Sequence, residues 1–344
     1  MVDSPSQTPR SDFGDPDAEY RAARSGAALF DLVDWTQIDL AGRDRAKFLH
    51  NFCTNDIRAL AVGTGCEAFI TNVQGKVLAH VFVYAGQTAL NLIAVPECAA
   101  PIIKHLSRYQ ISEDVAFSDL TRERCLILVA GPQAASVLEA TGVPVTAAVR
   151  ADKQQHEVAA SPLETIVMPS ALLEVPGYLV ACKTAEAAIC RSQLVAAGAV
   201  PAGTTAFEAL RIESGFPFYG IDMTDANLAQ EVGRTVQAIS FSKGCYLGQE
   251  PIARIDALGH VNQQLRGLRL EAGPLPPMGA VITTNEDEPR KIGHVTSAAF
   301  SYGIQAPVAL GYLKRHYDTP DLDVSVVVDG NAVPARLFWP QLVP

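Results

Sequence analysis

Between residues 35 and 40 the chain alternates, Trp35, Gln37 and Asp39 against Thr36, Ile38 and Leu40, the period of a strand with one covered face. Apolar runs at 66–71 and 77–84 predict two more strands, and Asn72-Val73-Gln74-Gly75-Lys76 between them reads as a hairpin loop with its glycine near the end. A further strand is expected at 90–95. Helical spacing appears at 17–29, with Tyr20, Ala23, Ala27 and Leu29 available for burial, at 44–52, where Phe48, Leu49 and Phe52 share a side, and at 99–109. A strand at 126–130, a turn at Gly131-Pro132 and a helix at 133–141 follow. Strands are then expected at 165–168, 172–174 and 177–182, before an alanine-rich helix at 185–197 that Gly198 ends.

Residues 207–214 read as a helix leading into an aromatic, glycine-containing loop, Gly215-Phe216-Pro217-Phe218-Tyr219-Gly220-Ile221-Asp222. Beyond residue 254 the texture changes. Short runs at 264–270, 280–284, 291–297, 308–313, 324–328 and 332–338, separated by turn signals, predict a closing all-β domain. Strands and helices mix without a regular βαβ alternation, so the fold class expected is α+β. The division expected is an arm rich in Ser, Pro and Asp at 1–16, a first α+β domain at 17–120 completed by 206–258, a ferredoxin-like unit at 121–205, and a β-barrel domain at 259–344.

Charge and cysteine content narrow the function classes. With 27 basic and 37 acidic residues the formal charge is −10, which argues against a broad nucleic-acid surface and leaves room for a local basic site. No run of about 18 apolar residues occurs, so no spanning helix and no membrane partner are expected. The polar, acidic N-terminus resembles neither a signal nor a transit peptide, and a cytoplasmic location is expected. Seven widely spaced cysteines without a C-x-x-C pair speak against a disulfide framework or a zinc site, and no metal is expected. Cys125 and Cys182, in apolar surroundings, read as small buried hydrophobes.

One cysteine sits differently. Lys243 to Glu250 reads K-G-C-Y-L-G-Q-E, with Arg254 four residues on. Gly244 and Gly248 let the backbone approach a ligand closely, and Lys243 and Arg254 favour the thiolate of Cys245, the reactive form of cysteine. The plainer reading is a glycine-punctuated turn whose cysteine packs.

Four blocks carry a resemblance. They are Trp35-Thr36-Gln37 with Gly42 to Asn51 and Thr54-Asn55-Asp56; Arg211-Ile212-Glu213-Ser214-Gly215-Phe216-Pro217 with Gly220 and Asp222; the octapeptide with Arg254; and Ile292-Gly293-His294-Val295-Thr296-Ser297. Together they resemble the YgfZ-type folate-binding proteins, relatives of the glycine-cleavage T-protein, an aminomethyltransferase. The resemblance implies three domains around a central folate-sized cavity, tetrahydrofolate as cofactor, and a role in maturation or repair of iron–sulfur proteins, with iron–sulfur assembly or client proteins as partners. It implies Cys245, Lys243 and Arg254 as the chemical group. The folate site would draw on Asn72, Gln74, Glu213, Phe216, Tyr219, Gly244, Tyr246, Gln249 and Glu250. Plainer roles stand beside these: Glu213 as a partner of Arg211, the aromatics as core, and Asn72, Gln74 and Asn227 as turn residues.

Two departures from the T-protein matter. The ground of its catalytic aspartate is Ala79-His80 here, and the glutamate of its Y-T-G-E-D-G segment falls near Val175-Pro176-Gly177. The first leaves no carboxylate for the chemistry, so aminomethyl transfer is not expected, and the second means that pterin recognition must differ as well. A non-enzymatic folate-binding adaptor that uses the cysteine loop as a contact surface is the alternative. Cys53 is the nearest second candidate thiol.

Overall fold

The computed structural model describes residues 9–142, 159–160 and 165–338. Three sheets organise them. The first is antiparallel, with strands in the spatial order Gly65–Thr71, Val77–Ala85, Ala89–Ala94, Thr36–Ala41 and Ala116–Asp119. Its hairpin closes as the residues at 72–76 suggest: Asn72 Oδ1 accepts from the amides of Gln74 at 2.9 Å and Lys76 at 3.0 Å, and Gly75 takes a positive φ of 72°. The alternation at 35–40 is only partly expressed, because Gln37 is buried as well as Ile38 and Leu40, its amide donating to the Arg124 carbonyl at 3.1 Å.

The second sheet runs Val200–Ala202, Ala28–Asp31, Arg124–Ala130, Gly177–Lys183, Ile166–Ser170, Ala159–Ala160. One face, with Ile127, Val129, Tyr178 and Val180, is covered by the helices Ala134–Ala140 and Ala187–Ala196, and the other, with Leu126, Leu128 and Leu179, joins the largest core. Two expectations change here. The helix expected at 17–29 is Pro16–Ser25, and Ala28–Asp31 is a strand between Val200–Ala202 and Arg124–Ala130. Alanine-rich residues there follow long-range pairing over local preference. Residues 172–174 are not a strand. They lie in the loop that joins the antiparallel partners Ser170 and Gly177.

All six runs expected in the last third form strands, and they close into a barrel in the order Gln263–Leu270, Ala306–Lys314, Lys291–Ser301, Val281–Thr284, Asp323–Val328, Asn331–Phe338. Closure removes the exposed edges of a sheet, and Leu268, Ile282, Val295, Leu313, Val326 and Leu337 fill the interior.

The helix Thr204–Glu213 packs on the barrel strands Lys291–Ser301 and Ala306–Lys314, whereas Gln249–Leu258 lies at the surface with Ile252 as its buried residue. The first has no side-chain cap. The N-terminal segment supplies acceptors instead, the amides of Thr204 and Thr205 donating to the Arg10 and Ser11 carbonyls at 3.0 and 2.9 Å. Among the described residues no helix is long and apolar enough to cross a membrane.

Candidate functional site

The aromatic loop after Thr204–Glu213 is held by a buried ion pair. Arg211 is fully buried and grips Asp222 Oδ2 at 2.8 Å, the Phe216 carbonyl at 2.8 Å and the Glu208 carboxylate. Asp222 Oδ2 also accepts from the Phe218 amide at 3.0 Å, while Oδ1 accepts from the hydroxyls of Thr296 at 2.5 Å and Ser297 at 2.6 Å. The second and fourth sequence blocks are therefore two halves of one joint, which fastens the loop to the barrel. Its guanidinium lies 4.4 Å from the Phe218 ring centroid.

Arg211 does not pair with Glu213. That carboxylate, on the last turn of the helix, takes the Tyr20 hydroxyl at 2.8 Å and the guanidinium of Arg24, both through Oε2. Oε1 is buried without a hydrogen-bond partner, on a side chain only 12% exposed. A buried carboxylate oxygen with no donor is costly to leave so, and it is an acceptor open to an N–H or O–H from a ligand. Glu174, 3.9 Å from Arg24, adds a second carboxylate. Burial raises its pKa, opposed by Arg24 and reinforced by Glu213. Glu174 stands one residue before the place where the sequence comparison with the T-protein located a missing glutamate.

A second buried polar group lies where the T-protein aspartate would be. His80 Nε2 donates to Glu67 Oε1 at 2.7 Å, and Arg234 binds both oxygens of Glu67, through Nε at 2.8 Å to Oε1 and through Nη2 to Oε2. The imidazole is stacked on Phe216, centroids 5.3 Å apart, and packs on Phe69 at 4.9 Å. Burial alone would raise the Glu67 pKa, but Arg234 and then His80 outweigh it and hold the carboxyl well below its usual range. The carboxylate expected to be absent here is thus present in space, on the neighbouring strand, but neutralised by a guanidinium. Phe216 is buried in this stack and is not a free wall. Tyr219 is half-buried and packs on the cluster of Phe69, Val77 and Met223.

The octapeptide docks on the first sheet. Lys243 does not face its neighbour in sequence: its ammonium donates to the carbonyls of His50 at 2.5 Å, Cys53 at 2.7 Å and Asn55 at 2.9 Å, with the Tyr246 ring centroid 4.6 Å away. Its three protons are all used, so it braces the chain that leaves the Arg45–His50 helix and has none for Cys245. Burial lowers its pKa. Gly248 has a φ of 83°, and a Cβ there would meet the Asn72 carbonyl and sit 2.8 Å from Thr71 Oγ1, so this glycine is what lets the loop lie against the hairpin. Thr71 Oγ1 donates to the Leu247 carbonyl at 2.9 Å, and the Leu247 amide donates to the Asn51 carbonyl at 2.9 Å.

On this clamped loop Cys245 is the exposed cysteine of the seven. Cys53, the second candidate, is fully buried, with burial pushing its thiol up. Arg254 and Glu250 lie exposed on Gln249–Leu258, a helix that the residues did not announce, and Arg254 has no ion pair among the described residues. Gln74 is exposed, Gly244 is exposed with His50 Nε2 4.0 Å from the place of a Cβ, Gln249 is half-buried, and Tyr246 is buried beneath Lys243. Asn72 and Asn227 serve turns, Asn227 Oδ1 accepting from the Thr224 amide at 2.9 Å. The structure thus joins the octapeptide to the 72–75 turn and Phe216 to His80. Sequence reasoning passed over Tyr20, Arg24, Glu67, Glu174 and Arg234. For Glu174 a carboxylate one position out of register was the available signal; for the others, separated by up to 193 residues from their partners, there was none.

Comparison with known proteins places this architecture. Residues 5–242 match the GCVT N-terminal domain and residues 263–343 the glycine cleavage T-protein C-terminal barrel domain. A Haloarcula marismortui protein named probable aminomethyltransferase is 30% identical over 92% of this chain and 88% of its own. A chloroplast protein of Arabidopsis thaliana, named only provisionally as a transferase, is 29% identical over 88% of this chain and 69% of its own. The crystal structure of glycine cleavage system aminomethyltransferase T from Bartonella henselae superposes with a TM-score of 0.84 at 21% identity, covering 95% of this chain and 89% of that one, which shows the shared fold.

Proposed function

Because the chain belongs to the glycine-cleavage T-protein family, with its GCVT N-terminal domain and C-terminal barrel, we propose that it is a tetrahydrofolate-binding protein of YgfZ type, supporting maturation or repair of iron–sulfur proteins in the cytoplasm through the thiol of Cys245. The observation that carries the folate half is the unpartnered, buried Oε1 of Glu213. A pterin edge is rich in N–H donors, and a carboxylate fixed by Tyr20 and Arg24 is preorganised to accept them. Glu213, Glu174 and the half-buried Tyr219 would hold the ligand. When bound, tetrahydrofolate supplies a carrier for one-carbon units. The protein's own residues fix the Glu213 carboxylate, keep the Glu67 carboxylate ionised against Arg234, and present a thiol on a braced loop.

Several facts support a chemical part for Cys245. Lys243, Tyr246 and Gly248 spend buried contacts on one loop conformation, and the side chain left outside is the thiol. Replacing Cys245 with serine tests this. Iron–sulfur enzyme activities in cells carrying the variant as their single copy are expected to fall with the protein still folded. Full activity would remove the thiol's role and leave the adaptor reading, in which the loop is a docking surface for iron–sulfur assembly proteins.

Aminomethyl transfer is a second reading, favoured by relatives that carry that name. Against it stand Ala79 and His80 in place of a free carboxylate, and the engagement of Glu67 by Arg234. No methylenetetrahydrofolate is expected from this protein in a reconstituted glycine-cleavage assay; its formation at T-protein rates would reverse the choice.

A further inference from the structure

Two thiols face each other on the central strands of the six-stranded sheet. Cys125 and Cys182 are direct register partners on the antiparallel strands Arg124–Ala130 and Gly177–Lys183, on the face that also carries Ile127, Val129, Tyr178 and Val180. Two positions along, the Thr184 amide donates to the Glu123 carbonyl at 2.9 Å, and at the other end the Gly131 amide donates to the Pro176 carbonyl at 2.7 Å. Hydrogen-bonded and non-hydrogen-bonded pairs alternate along an antiparallel ladder, so counting from either end makes Cys125 and Cys182 a hydrogen-bonded pair. Such partners stand about 5.5 Å apart at Cα, inside the range a disulfide spans. Their Cβ atoms, up to about 5.5 Å apart, are wider than the roughly 3.5–4.5 Å of a relaxed disulfide. A bond here forms by a local shift of about 1 Å and is correspondingly easy to reduce.

We propose that Cys125 and Cys182 are a redox modification site, a cross-strand pair that hydrogen peroxide closes to a reversible disulfide. Cys125 is half-buried and Cys182 buried, so the oxidant meets Cys125 first. Arg191, on the helix Ala187–Ala196, holds a cation against that sulfur, donating to Cys125 Sγ at 3.3 Å and to Asp31 Oδ1 at 2.6 Å. A cation there favours the thiolate, the form that attacks peroxide. Against it, the hydrogen bond with Cys182 and then burial push the Cys125 thiol up, so the reaction quickens as pH rises. The chemistry balances in two steps. The Cys125 sulfur attacks one oxygen of hydrogen peroxide, breaking the O–O bond, so that sulfur is oxidised to the sulfenic acid and the other oxygen leaves as water with the thiol proton. The Cys182 sulfur then attacks the sulfenic sulfur, the S–S bond forms, and the hydroxyl leaves with the Cys182 proton as a second water.

The test is peptide mass spectrometry of the full chain after graded hydrogen peroxide, with dimedone as the sulfenic trap, on wild type, Cys190→Ser and Cys182→Ser. Cys190, half-buried on the covering helix, is the competing thiol. Expected are a Cys125–Cys182 disulfide in wild type and in Cys190→Ser alike, its reversal by excess glutathione under native conditions, and at least a several-fold rise in dimedone-labelled Cys125 in Cys182→Ser. Reduced Cys125 and Cys182 in peroxide-treated wild type, at a dose that oxidises the exposed Cys245, would overturn the proposal. So would a disulfide from either thiol to Cys190 in place of the cross-strand bond. The wild-type arm needs no variant and stands even if Cys182→Ser folds poorly.

Discussion

Replacing Asp222 with asparagine keeps the side chain's shape and removes one charge. In the native protein that carboxylate takes four donors, Arg211 and the Phe218 amide on Oδ2 and the hydroxyls of Thr296 and Ser297 on Oδ1, and it is almost wholly enclosed. The asparagine oxygen can face Arg211 and Phe218, and its NH2 can face the two hydroxyls, which turn to accept. What no rotation restores is the charge opposite a fully buried guanidinium. Losing one partner of a buried ion pair costs about 3–5 kcal/mol, and the lower end applies because Glu208, half exposed, still grips Arg211. In a unit of 150–250 residues about 3 kcal/mol lowers Tm by roughly 6–12 °C. Differential scanning calorimetry gives the shift, and hydrogen exchange at 216–222 and 291–301 locates it. A Tm within about 2 °C of wild type, with unchanged exchange in both segments, would refute the claim that this ion pair fastens the aromatic loop to the barrel.

Other consequences follow from the same contacts. Lys243→Met orphans three buried carbonyls, at about 1 kcal/mol or more each, so a loss of about 2–4 kcal/mol is expected, with faster hydrogen exchange at 50–56; unchanged exchange with slower alkylation of Cys245 would instead restore the view that Lys243 activates the thiol. Glu67 has a folded pKa far below its unfolded value of about 4.3, so between the two the unfolded chain binds the extra proton; its contribution is complete above the unfolded value and is lost as pH falls towards the folded one. Acid titrations of stability should therefore slope less steeply below about pH 4 for Glu67→Gln than for wild type, and parallel slopes would contradict the sign.

The barrel was legible because its strands are short apolar runs with turn signals between them, even where a run such as Ala306–Lys314 is buried on both faces and shows no alternation. Where a strand's fate depends on distant partners the pattern misleads: residues 28 and 29 read as the end of a helix and instead begin the strand Ala28–Asp31, between Val200–Ala202 and Arg124–Ala130. The octapeptide was legible as a special loop from its glycines, and Gly248 does need its positive φ, but the part played by Lys243 was not. Its partners are carbonyls some 190 residues earlier, and main-chain oxygens leave no mark in a sequence. The same limit hid the Glu67–Arg234 pair, 167 residues apart. Glu213 was found as a motif residue; that one of its oxygens lacks a donor is a property of packing alone.

The central claim, a folate held at Glu213, is tested most directly by calorimetric titration of the purified protein with tetrahydrofolate, beside Glu213→Ala. The account predicts saturable binding by wild type and a loss of about tenfold or more in the variant, the worth of one hydrogen bond to a charged group at roughly 1.5–3 kcal/mol. No heat of binding in folded wild type, or equal affinity in Glu213→Ala, would contradict it.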